Sequence, residues 1–163
     1  MPALEAVQLF SAGAFMSSAR VRNEPLTGGG TRTLRIARTF ARILLGLLFS
    51  VFGLNGFLHF IPMPPPQGVA GQFLGAMFES HYLFFVFAIQ LAGGVLLLIN
   101  RFVPLALTLL GPVLVNILLF HALMEPQGLP VALLATVLWL LVFSGARQAF
   151  AGIFAQRTSS TNT

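Results

Sequence analysis

Residues 40–60 read FARILLGLLFSVFGLNGFLHF, an apolar run whose only charge, Arg42, stands near its start. At about 1.5 Å per residue, a helix of this length reaches roughly 32 Å, enough to cross a hydrocarbon core of about 30 Å. The run shows no period-two alternation, so a strand, and with it a β-barrel, is excluded. Working outward, three further apolar runs have comparable length. They cover about residues 82–99, about 102–124 after the short break Asn100-Arg101, and about 129–146, entered through Glu125-Pro126-Gln127-Gly128. The expected fold is all-α: an integral membrane four-helix bundle.

Composition agrees with the reading of that first run. With 56% hydrophobic and 8% charged residues and a mean hydropathy of +0.88, the chain lacks the polar side chains needed to cover a water-facing surface. Residues 1–30 read as a disordered tail, since Asn23-Glu24-Pro25-Leu26-Thr27-Gly28-Gly29-Gly30 offers turn formers and nothing to bury. Residues 31–150 form the membrane domain, and 151–163 a C-terminal tail. Met1 to Arg20 has no basic region ahead of an apolar one, so it does not read as a secretory leader, and Met16 is an alternative start. The absence of cysteine excludes disulfides, thiolate metal sites and thiol chemistry by this chain.

The basic residues are nine arginines against four acidic residues, giving a net charge of +5. In a soluble chain such a balance would raise nucleic acid; here the positions speak for a membrane surface instead. Arg20, Arg22, Arg32, Arg35, Arg38 and Arg42 precede or open the first run, Arg101 lies between the second and third, and Arg147 and Arg157 follow the fourth. Placing both termini in the cytoplasm puts every arginine on that side, the orientation the positive-inside rule favours in a cytoplasmic (inner) membrane. Arg32, Arg35, Arg38 and Arg42 also recur at helical spacing. They either contact anionic lipid head groups, at about 1 kcal/mol each, or set topology alone.

On the other side, the loop from Ile61 to Ser80 begins with a proline run that ends the first helix. It continues with Val69, Ala70, Phe73, Leu74, Met77 and Phe78 on one face, which predicts a short amphipathic surface helix. Polar residues in the apolar runs mark candidate sites, because lipid penalises them unless they face the protein interior. Asn55 and His59 share a helix face, Gln90 lies near the middle of the second run, and Asn116 and His121 lie in the outer part of the third. These five are candidate ligand or quinone contacts, since amides and imidazoles hydrogen-bond quinone carbonyls. The alternative is that the histidines cap helix ends while Asn55, Gln90 and Asn116 form interhelical hydrogen bonds. No metal-ligand spacing and no nucleophilic triad is evident. Gly46, Ser50 and Gly53 on the first helix and Gly93 and Gly94 on the second are the small residues that allow close helix packing.

Residues 42–49 (RILLGLLF), 52–56 (FGLNG), 90–98 (QLAGGVLLL) and 101–107 (RFVPLAL), in this order, resemble the DoxX-like membrane proteins over about residues 42–147. The resemblance implies a compact four-helix bundle in a bacterial inner membrane, serving as a subunit of a quinone-linked redox system without catalysis of its own. Many relatives carry a glutamate before the Gly-Gly pair; Gln90 stands there in this chain and can hydrogen-bond without titrating. Redox partner subunits or further copies of the chain would be its partners, besides the bilayer. A structural or assembly subunit and an oligomeric small-solute carrier are the other function classes.

Overall fold

The structure is a computed structural model that describes residues 28–62 and 64–154. Most of the expected tails, residues 1–27 and 155–163, lies outside the described residues. Contacts divide the chain between Arg35 and Ile36. Of the first unit, residues 28–35 are described, a helical stretch exposed from residue 30 onward. The second unit, from Ile36 on, carries the remaining structure.

Helix α1 spans Gly28–Leu58, so the glycines expected to belong to the tail open the helix instead. Its last i→i−4 bond runs from the His59 N–H to the Asn55 backbone carbonyl, and it stops because His59 turns left-handed at φ 52° ahead of the proline-rich stretch. Helix α2 spans Gly68–Glu79 and α3 spans Tyr82–Leu98; Ser80 and left-handed His81 join them through a bend of 87°. Helix α4 spans Val103–Leu123, separated from α3 by a tight reversal with Asn100 and Phe102 both left-handed. A 3-10 turn at Pro126–Gly128 leads into α5, Leu129–Ala146, and a 3-10 stretch follows over Arg147–Phe154. No strand occurs among the described residues.

Three helical segments are long and apolar enough to cross a membrane, and a fourth is reached when α2 and α3 are taken as one bent span. The ambiguity comes from α3, whose 17 residues reach only about 26 Å. The helices expose Leu105, Val115, Leu119, Val137 and Leu140 by about half of their surface, as lipid contact requires and water would penalise. The chain thus has the build of a multi-pass membrane protein.

Two ends can be told apart by side chain. At the arginine end, Arg42 donates to the carbonyls of Leu97 and Leu98, closing the exposed C-terminus of α3 against α1. Arg38 donates from Nε to Ser144 Oγ at 3.2 Å, tying α1 to the last turn of α5. Arg38 and Arg42 thus make bonds within the protein, on top of the charge they place at that end. Helix termini present unpaired carbonyls that a guanidinium satisfies at short range. At the histidine end lie His59, His81 and His121, with Glu79 and Glu125.

Between the ends, Leu45, Phe49, Leu97, Leu107 and Leu110 are fully buried, and Leu138, Val142 and Phe150 join them. Helices α1 and α3 touch at backbone distance. A Cβ on Gly94 would lie 2.6 Å from the Ser50 nitrogen, and one on Gly53 would lie 2.7 Å from the Leu91 nitrogen. Gly46 faces Gly94 and Leu98 in the same seam, while Gly93 on the adjacent face of α3 receives Leu110 of α4. Trp139 of α5 donates to the Leu107 carbonyl at 3.2 Å, fixing α5 on α4.

Candidate functional site

Toward the histidine end the packing opens into a cavity of about 430 Å³. Helix α1 contributes Leu48, Phe49, Phe52, Asn55 and Gly56, followed by His59; α3 contributes Leu83, Phe87 and Gln90. Ile117 and His121 come from α4, and Val131, Ala132 and Ala135 from α5, so all four long helices share the wall. Phe78, at the end of α2, borders it as well. Small residues on one side, in the turn before α5 and in α5 itself, leave room for the cavity. Gly128, Ala132 and Ala135 recur at helical spacing, whereas one turn further toward the arginine end Leu138 and Val142 fill the same side.

Of the five residues singled out in the sequence, four line this cavity, and each stands differently. Asn55 is 4% exposed and spent on its own chain: its Oδ1 accepts from the Ile61 N–H at 2.6 Å, and its Nδ2 reaches the Ile61 carbonyl at 3.5 Å. It therefore holds the turn after α1 and bonds no other helix among the described residues. His59 is exposed at the rim. His121 is half-buried, with Nδ1 at 2.8 Å from the Glu125 carbonyl and its ring against Gly128, where a Cβ would fall 2.0 Å from Cε1.

Gln90 is the odd member. It is 6% exposed, yet makes no hydrogen bond among the described residues, and the cavity is what its amide borders. An amide that is nearly buried, makes no bond within the described residues and opens on a cavity is a polar handle there. The expected interhelical bond from Gln90 is not made among the described residues.

Asn116 goes elsewhere. It is exposed and borders a separate groove with Phe73, Met77, Tyr82 and Pro112, and makes no hydrogen bond among the described residues. Five residues separate it from His121, about 140° around the helix, which is why the two face different spaces. The sequence reading missed Gly128, Ala132 and Ala135 as wall residues. Their i, i+4, i+7 spacing is the signal in the sequence.

Of the packing residues, Ser50 adds one unusual feature: its Oγ is buried against Gly94 without a hydrogen-bond partner. Among the described residues no group of three or more His, Asp or Glu side chains could hold a metal ion. The arrangement offers a mostly apolar wall with one deep amide and two imidazoles nearer the rim. Comparison of the chain with protein-family models, with characterised proteins and with solved structures finds no match in any of the three.

Proposed function

We propose that this chain is a DoxX-like four-helix membrane bundle of a bacterial inner membrane, with both termini cytoplasmic, that holds a quinone-type ligand as the non-catalytic subunit of a redox system. The observation that carries the reading is Gln90, a nearly buried residue that makes no hydrogen bond among the described residues and stands at the wall of a mostly apolar cavity. Its Nε2 can donate to a ligand carbonyl, while Phe49, Phe52 and Phe87 offer flat apolar surface to a ring. Supporting the orientation, Arg38, Arg42, Arg101 and Arg147 gather at one end of the second unit, and Glu79 and Glu125 lie at the other.

Protein purified in mild detergent should carry quinone in its lipid extract at near one per chain. Gln90→Leu should lose the quinone while keeping its elution volume. An extract free of quinone would sink the reading. Orientation can be tested separately because the chain has no cysteine: a single cysteine at Glu79 should react with an impermeant maleimide from outside intact cells, and one at Arg147 only after lysis.

Asn116 favours a second role beside the first, that of an assembly subunit. A bare amide on a face otherwise suited to lipid is accommodated best when another transmembrane helix supplies its partner, at about 0.6 kcal/mol per such bond.

A further inference from the structure

We infer that the cavity prefers a ligand that presents a hydroxyl at the histidine end, and hence, among quinone-type ligands, the hydroquinone over the quinone. The inference rests on the quinone reading above and deepens it. Its basis is the fixed polarity of one imidazole.

His121 Nδ1 lies 2.8 Å from the Glu125 carbonyl oxygen. A carbonyl only accepts, so Nδ1 carries the proton, and in the neutral ring the lone pair is left on Nε2. Nε2 has no hydrogen-bond partner among the described residues, and the ring lines the cavity. Turning the ring over would set a carbon against the Glu125 oxygen and forfeit that bond.

The ring is also held in place. Gly128 lies under it so closely that a Cβ there would come within 2.0 Å of Cε1, and Phe120 meets it edge-on at 5.1 Å between centroids. No other polar group of the cavity has both properties. Gln90 offers a donor and an acceptor from the same amide and so does not discriminate. Asn55 is committed to Ile61, and His59 is exposed at the rim, where water can serve either tautomer.

A quinone carries acceptors at both ends of its ring, and one of them would meet the Nε2 lone pair with no proton between. A hydroquinone donates into it. One neutral hydrogen bond made rather than refused corresponds to about a fivefold to tenfold difference in affinity.

Equilibrium binding of a decyl-substituted benzoquinone and of its hydroquinone, measured anaerobically on protein in lipid nanodiscs, tests this. Wild-type protein should bind the hydroquinone about fivefold to tenfold more tightly. His121→Phe should bring the two affinities together, whereas Gln90→Leu should weaken both alike. Gly128→Ala, which pushes the ring off its seat, should reduce the preference even if His121→Phe does not fold. Nitrogen NMR of the unliganded protein gives a second readout: His121 should carry its proton on Nδ1, and a proton on Nε2 overturns the inference. Equal binding of both forms, or tighter binding of the quinone, overturns it while leaving the quinone reading intact. If neither form binds, the quinone reading falls, and this inference with it.

Discussion

Helix α1 meets its neighbours in two opposite ways within three turns. Along Gly46, Ser50 and Gly53 it approaches α3 so closely that backbone touches backbone. Along Phe52, Asn55 and Gly56 it faces a cavity. Both regions are built with small residues, so size alone does not decide the outcome. In the seam, small residues stand on both helices, and the gap closes. At the cavity, Ala132 and Ala135 of α5 stand across from large side chains, Phe52 of α1 and Phe87 of α3. Small against small gives contact; small against large gives space.

The seam should be the least forgiving part of the molecule. In Gly94→Leu, the first added carbon would already lie 2.6 Å from the Ser50 nitrogen and 2.9 Å from the Gly46 oxygen, both backbone atoms. Neither can move aside as a flexible side chain would, so the expected cost is about 3 kcal/mol or more. Thermal unfolding in detergent should show a collapsed or absent transition. A Gly94→Leu protein as stable as the wild type would show that α1 and α3 are not in contact along this seam.

Asn55 offers the second-largest effect, because it stands at the cavity but works for the chain. Asn55→Ala leaves the Ile61 N–H without its 2.6 Å acceptor, at an expected loss of about 1–3 kcal/mol. Quinone content should fall no further than the loss of folded protein explains. If ligand is lost while thermal stability stays unchanged, Asn55 belongs to the ligand rather than to the turn.

How much of this was legible in the sequence follows the same division. The apolar runs were readable from length and composition, because lipid selects for a simple, long-range pattern, and the helix limits agree to within a residue or two after α1. The start of α1 was misread, since Gly28-Gly29-Gly30 weighs toward flexibility by local propensity and yet continues a helix. Arg38 and Arg42 were read by charge, and charge does not say that Leu97, Leu98 and Ser144 end within reach. Gln90 and His121 stood out as polar residues in apolar runs. Which of the five candidates would share a space depended on helix rotation and on the α5 wall, and neither is written in any single segment.

Filling the cavity should act in the opposite sense to filling the seam. Ala132 is 2% exposed and borders open volume rather than backbone. Ala132→Leu should therefore raise stability by about 0.5–2 kcal/mol, seen as a higher unfolding temperature, and expel the ligand. A destabilised Ala132→Leu protein would mean that the space is not available to a side chain, and so not to a ring.

The smallest effect on the fold is expected at Asn116, on the groove of α2, α3 and α4 rather than in the cavity. With no hydrogen bond to lose among the described residues, Asn116→Leu should shift stability by less than about 0.5 kcal/mol. Any consequence should appear in what co-purifies from native membranes, because a leucine removes an amide on that groove that a partner helix could bond. Retention of quinone together with loss of a stoichiometric partner would separate the two spaces by function as they are separated by helix rotation. A partner retained at full yield by Asn116→Leu would remove the reason for assigning assembly to this face, and a fall in stability beyond that limit would show instead that the Asn116 amide serves the chain's own fold.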